Sequence, residues 1–153
     1  MDWHLKSFEE LSAPELHDIL KLRCEVFVVE QNCAYADVDG LDRVSLHLFC
    51  TEDGVLVGCL RILPAGVAFE RPGLGRFVVD PVRRGGGLGR TLLRRGMQEA
   101  FDRFGCDGLE LSGQTYLQRF YEAEGFVPTG EPYLEDGIEH VDMLCRRGDQ
   151  RAL

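Results

Sequence analysis

The sequence predicts an α/β fold, a central mixed β-sheet with helices on both faces. Three observations predict it. Strand, helix and strand follow one another over residues 74–112, an order that implies a right-handed parallel crossover. Strand-like runs joined by Asp-Gly turns lie before and after that unit, and they imply antiparallel pairing. The chain has 153 residues, so we expect one domain over 1–153. A domain of that size buries about two thirds of the surface of its unfolded chain and needs no disulfide or metal staple.

Each element has a local reason. Trp3 to Phe8 alternates apolar and polar, the pattern of a short strand. Ser12-Ala13-Pro14-Glu15 is a capping box with proline just inside the helix start. The helix that follows should bury Leu16, Ile19, Leu20, Cys24, Phe27 and Val28. Glu30 to Asp42 loses all periodicity and reads as a loop or broken helix; loops of that length are often functional. Val44 to Thr51 and Val55 to Leu63 form a hairpin around Glu52-Asp53-Gly54, where Asp-Gly tolerates positive φ. Pro64 ends it. Leu74 to Val79 is a short strand stopped by Asp80-Pro81. From Leu88 a helical stripe runs through Leu92, Leu93, Met97, Ala100, Phe101 and Phe104, closed by Gly105. Gly108 to Ser112 reads as a strand and Tyr116 to Glu124 as a short helix ended by Gly125. Phe126 onward and Ile138 to Cys145 read as two last strands around Asp136-Gly137.

Composition bounds the function. The sequence is 44% hydrophobic and 28% charged, as globular proteins are. Its net charge of −9 argues against a sequence-independent grip on nucleic acid and suits a cationic substrate such as an amine, though acidity also serves solubility. No run of about 18 apolar residues exists, so no membrane span is expected. Met1-Asp2-Trp3-His4 lacks the basic start and apolar run of a signal peptide. The six cysteines show neither C-x-x-C pairing nor zinc-ligand spacing. We expect them to be free and mostly packed, in a cytoplasmic protein without a metal.

The stretch Gly75 to Arg90 carries most of the chemistry. Asp80-Pro81 ends a strand, Arg84-Gly85-Gly86-Gly87-Leu88-Gly89-Arg90 turns, and a helix begins. A helix start leaves backbone N–H groups unpaired and partially positive, and glycines let a phosphate approach them. Arg83, Arg84 and Arg90 add charge, so the physics predicts a pyrophosphate cradle. A Walker loop is excluded because no lysine follows the glycines. The dinucleotide fingerprint fails because its last place is Arg90 or Leu92. A glycine turn that only caps a helix is the structural alternative.

The pattern that fits is R-x-x-G-x-G, at Arg84, Gly87 and Gly89 after Phe-Val-Val-Asp-Pro. It resembles the acetyl-CoA motif of the GNAT superfamily of N-acetyltransferases. Phe120-Tyr121-Glu122-Ala123-Glu124-Gly125-Phe126 is similar to that superfamily's F-Y-x-x-x-G-F helix end. Leu22 to Cys33, Asp39-Gly40 and Glu135 to His140 resemble its ElaA-type branch. The resemblance implies acetyl-CoA as donor and an amine as acceptor, either a small molecule or a peptide. By it, the backbone of Phe77, Val78 and Val79 would pair with the pantetheine arm, and one N–H, that of Val79, would face the thioester oxygen. The N–H groups from Arg84 through Gly85, Gly86, Gly87, Leu88 and Gly89 to Arg90 would hold the pyrophosphate.

Tyr121 is the expected general acid, because a phenol can protonate a thiolate leaving group. A core aromatic beside Phe120 and Phe126 is its alternative. In many relatives an Asn before this helix touches the cofactor; here the stretch is Gln114-Thr115-Tyr116. The acceptor amine must lose a proton before attack. Candidate bases are Glu30, Asp39, Asp42, His47 and His140, with Glu30 and His140 ranked first because they lie in the branch-like segments. Each acid could instead be a solvated charge, and each histidine structural. Arg23, Glu30, Asp39 and His47 are candidate acceptor contacts, with carboxylate pairing as the alternative for Arg23. Direct attack in a ternary complex requires no cysteine. An acyl-CoA-binding module without turnover, and an acyltransferase with a longer donor, stay open. A homodimer is compatible with the sequence.

Overall fold

The computed structural model describes residues 1–153. The elements in chain order are β1 (Asp2–Ser7), α1 (Ala13–Arg23), β2 (Leu46–Glu52), β3 (Val55–Leu63), β4 (Gly73–Val79), α2 (Leu88–Phe104), β5 (Gly108–Gln114), α3 (Gln118–Ala123), β6 (Val127–Pro128), β7 (Tyr133–Glu135) and β8 (Ile138–Arg146). One sheet runs β1-β2-β3-β4-β5-β8-β6, with β7 paired to β8. Every pairing is antiparallel except β4 with β5. The expected mixed sheet is therefore present.

The two faces are covered differently. Leu92, Leu93, Met97, Ala100 and Phe101 of α2 pack on Leu48, Leu60, Leu74, Leu109, Leu111, Val141 and Met143. On the opposite face Ile19, Leu22 and Val26 pack on Phe49, Cys59 and Val78. The alternation of β-strand side chains makes this possible: Phe49 faces one layer and Leu48 the other.

The sequence placed α2 and its boundaries correctly, and Gly105 closes it at φ +59. The capping box of α1 forms as expected, with Glu15 N donating to Ser12 Oγ (3.2 Å) and Ser12 N to Glu15 Oε1 (2.9 Å). The buried face of α1 differs from expectation. Ile19, Leu22, Arg23 and Val26 are buried, while Leu16, Leu20, Cys24, Phe27 and Val28 are only partly so. Two causes operate. The helix passes at Cys24–Glu30 into a π-helix, whose wider turn rotates the side chains that follow. Arg23 is buried by ion pairing, which apolar periodicity does not register. The strand expected from Phe126 is also broken, into β6 and β7 on successive stretches of β8.

The feature that positions the site is a gap. β4 and β5 pair only at Gly73 with Glu110 and Leu74 with Leu111. Beyond Leu74 they part. The edge of β4 at Phe77, Val78 and Val79 has no strand beside it on the β5 side.

Candidate active site

Where β4 and β5 part, the sheet opens into a cleft of ≈ 1210 Å³ lined from both faces. The glycine turn borders it. Asp80 caps a short 3₁₀ turn (Pro81–Arg83) by accepting from Val82 N at 3.1 Å. The chain then enters α2 through Gly85 at φ +88 and Gly87 at φ +87, which side chains rarely adopt. A Cβ at Gly85, Gly86 or Gly87 would meet nothing within 4 Å, so open space lies in front of this backbone. Gly87 caps α2 with no side-chain bond, leaving the first N–H groups of the helix facing that space. Gly89 sits closer in: a Cβ there would lie 3.5 Å from Phe77 Cζ. This geometry suits a pyrophosphate.

The arginines around the turn do not contribute free charge. Arg84 donates through Nη1 and Nη2 to the Glu30 carboxylate at 2.6 and 2.9 Å. Arg83 pairs with Glu52, and Arg90 with the buried Glu124 at 3.2 Å. An anion at this turn would therefore meet mainly backbone N–H groups.

Tyr121 lies on the α2 side of the gap, 6% exposed, edge-on to Phe120 (5.5 Å) and Phe126 (6.0 Å). It is both a core aromatic and a cleft-lining phenol. Gly113 makes room for it: a Cβ there would stand 2.8 Å from the ring. Burial raises the phenol above its ordinary value, so the hydroxyl stays protonated and can act only as an acid near neutrality.

His140 lines the cleft from β8. Its Nδ1 donates to Ile138 O at 2.7 Å, which leaves Nε2 to accept a proton. The Glu135 carboxylate stands 3.8 Å from Nε2 and would stabilise the imidazolium so formed. Glu30 is placed at the cradle rim instead. The hydrogen bonds from Arg84 hold its carboxyl low, which makes it a poor base.

Asp39 also lines the cleft, bound by Arg61 at 2.8 and 3.0 Å and by Arg76 at 3.3 Å. Burial pushes its carboxyl up, but these bonds together outweigh burial and hold it down to about 2. Two expected acceptor contacts need correction. Arg23 is 1% exposed, bound to Asp37 (2.9 Å) and Asp42 (2.7 Å), and takes no part in lining the cleft. His47 is equally buried, its Nε2 2.9 Å from Asp42 O, and burial lowers its basicity. Asp42 is the buried counter-ion of Arg23 and Arg61 rather than a free base. These residues brace the cleft wall from behind.

The sequence reading missed a polar wall. Ser112 and Gln114 of β5 stand opposite Asp142 and His140 of β8, and Tyr133 of β7 stands opposite His140. All five line the cleft. Gln31 and Gln114 exchange two amide hydrogen bonds of 3.1 Å across it. The alternation Ser112, Gln114 and His140, Asp142 was a visible signal, but the register that aligns the two pairs was not.

Comparison with known proteins gives a consistent result. A family model described as an acetyltransferase (GNAT) domain matches residues 15–147. The chain is 37% identical to the protein ElaA of Escherichia coli, over 94% of this chain and 95% of that protein. The crystal structure of E. coli ElaA superposes with a TM-score of 0.89 at 35% identity, covering 95% of this chain and 99% of that one. An acyl-CoA N-acyltransferase from Pseudomonas aeruginosa gives a TM-score of 0.89 at 41% identity, with 95% and 99% covered.

Proposed function

The chain belongs to the GNAT acetyltransferase family and is an acyltransferase, and from that premise we propose that it transfers an acetyl group from acetyl-CoA to a primary amine by direct attack. The observation that carries the reading is the gap between β4 and β5, which brings the glycine cradle, the Tyr121 phenol and the His140 imidazole to one cleft.

The backbone from Arg84 to Arg90 would hold the pyrophosphate, and the unpaired edge at Phe77, Val78 and Val79 would take the pantetheine arm as a neighbouring strand takes a partner. When bound, the thioester supplies an activated acyl carbon. His140 Nε2 takes a proton from the acceptor ammonium, directly or through water, and Glu135 offsets the charge. A backbone N–H of β4, that of Val79, supports charge developing on the carbonyl oxygen. As the amine nitrogen bonds to the acyl carbon and the C–S bond breaks, Tyr121 donates its proton to the departing thiolate and is restored by the second proton that the nitrogen sheds. Phe77 lies beside Phe120 and Tyr121 at this point, with ring centroids 6.0 and 6.5 Å apart, and gives it an apolar lining.

The test is release of free CoA thiol from acetyl-CoA with a panel of primary amines. Amine-dependent release supports the reading. Stabilisation by acetyl-CoA without release from any amine would mean a binding module and overturn it.

A further inference from the structure

The two walls of the cleft carry different charge. Arg61 and Arg76 are neutralised by Asp37, Asp39 and Asp42. Arg84 and Arg90 are neutralised by Glu30 and Glu124. Asp142 has no such partner. It is partly buried on β8, and no arginine, lysine or histidine reaches it; its Oδ1 accepts only from Tyr133 OH, at 2.7 Å. Tyr133 OH also hydrogen-bonds Ser112 Oγ, so the carboxylate is fixed by a short polar chain across β5, β7 and β8. Burial and the bond to Asp142 push the Tyr133 phenol up to about 12, so its proton stays on it. A carboxylate held in place in a cleft wall and not paired with a protein cation is free to take one from a ligand.

Position supplies the second half of the argument. Asp142 and His140 point to the same side of β8, two residues apart, or about 7 Å along the strand. An amine whose nitrogen lies at His140 can therefore carry a second ammonium at Asp142. An extended four-carbon diamine separates its nitrogens by roughly 6 Å, from ordinary C–C and C–N bond lengths. Glu135 and Asp136, which also line the cleft at the β7–β8 turn, add negative charge on this side.

We propose that Asp142, held by Tyr133 and Ser112, is a specificity residue that binds a second ammonium of the acceptor, so that the acceptor is a short aliphatic diamine or an amine of equivalent spacing. This rests on the acyl-transfer reading above and names its acceptor class. Asp142 touches neither the thioester nor the reacting nitrogen; its effect is on acceptor affinity and selection.

The experiment compares 1,4-diaminobutane with 1-aminopentane, which has the same length and one charge, as acceptors for acetyl-CoA. The wild-type protein should prefer the diamine by about tenfold or more in kcat/KM, through KM. Asp142→Asn should bring the ratio near one, and Asp142→Glu should keep part of it. Retained stabilisation by acetyl-CoA shows that a variant is folded. Equal use of both amines by the wild type, or an equal loss for both in Asp142→Asn, would overturn the assignment. If no amine releases CoA, the acyl-transfer reading fails, and thermal stability with CoA decides the subsite by itself. The diamine must then stabilise the wild type and not Asp142→Asn, and an identical response in the two overturns it.

Discussion

At the scale of single residues, environment chooses between side chains that composition leaves equivalent. Glu30 and His140 are both candidate proton acceptors. Arg84 occupies one with two hydrogen bonds, whereas Ile138 O orients the other so that its free nitrogen can accept a proton. Tyr121 is set apart from the other tyrosines by burial without a protein hydrogen-bond partner at a cleft wall, which suits it to the proposed proton donation. Tyr121→Phe should keep acetyl-CoA binding, read by thermal shift, and lower kcat for CoA release by about a hundredfold or more. An unchanged kcat over pH 7–9 would remove Tyr121 from the chemistry.

At the scale of elements, two glycines make separable demands. Gly113 of β5 leaves room for the Tyr121 ring, where a Cβ would come within 2.8 Å. Gly113→Ala should therefore displace the phenol and lower kcat while leaving the KM for acetyl-CoA near its original value, measured by the same thiol assay. Gly87 stands at φ +87 with open space before it. Gly87→Val strains the turn by about 1 kcal/mol or more and fills the space a phosphate would take. Cofactor-dependent stabilisation should disappear in that variant. A surviving shift in Tm would place the pyrophosphate elsewhere.

At the scale of the molecule, a buried charge network ties the layers together. Arg23 of α1, Asp37 and Asp42 of the connecting segment, and Arg61 of β3 meet within 2.7–3.1 Å, and Asp39 and Arg76 extend the network to the cleft. Asp42→Ala leaves Arg23 with one carboxylate in a buried setting and should cost about 3–5 kcal/mol in urea unfolding. The network also has a pH signature. The Asp39 carboxyl stands at about 2 in the folded protein against an ordinary value of 3.8. Its contribution is complete above pH 4 or so and is lost as pH falls towards 2, because protonation then favours the unfolded chain. Acid unfolding curves of wild type and Asp39→Asn should converge at the low end of that range.

What the sequence determined by itself is what short-range chemistry determines. Capping at Ser12, the α2 stripe, the Asp-Gly hairpin and the glycine-rich turn before α2 all depend on neighbours a few residues apart, and each was legible. Tyr121 was nameable as a candidate through its motif, although the room made for it by Gly113 was not. Only the tertiary structure decided which charges are spent. Arg23 and His47 read as acceptor contacts until burial against Asp37 and Asp42 took them from the cleft. Asp142 read as nothing until strand register set it beside Tyr133 and Ser112. Ion pairs and register join residues far apart in the chain, so no local pattern encodes them.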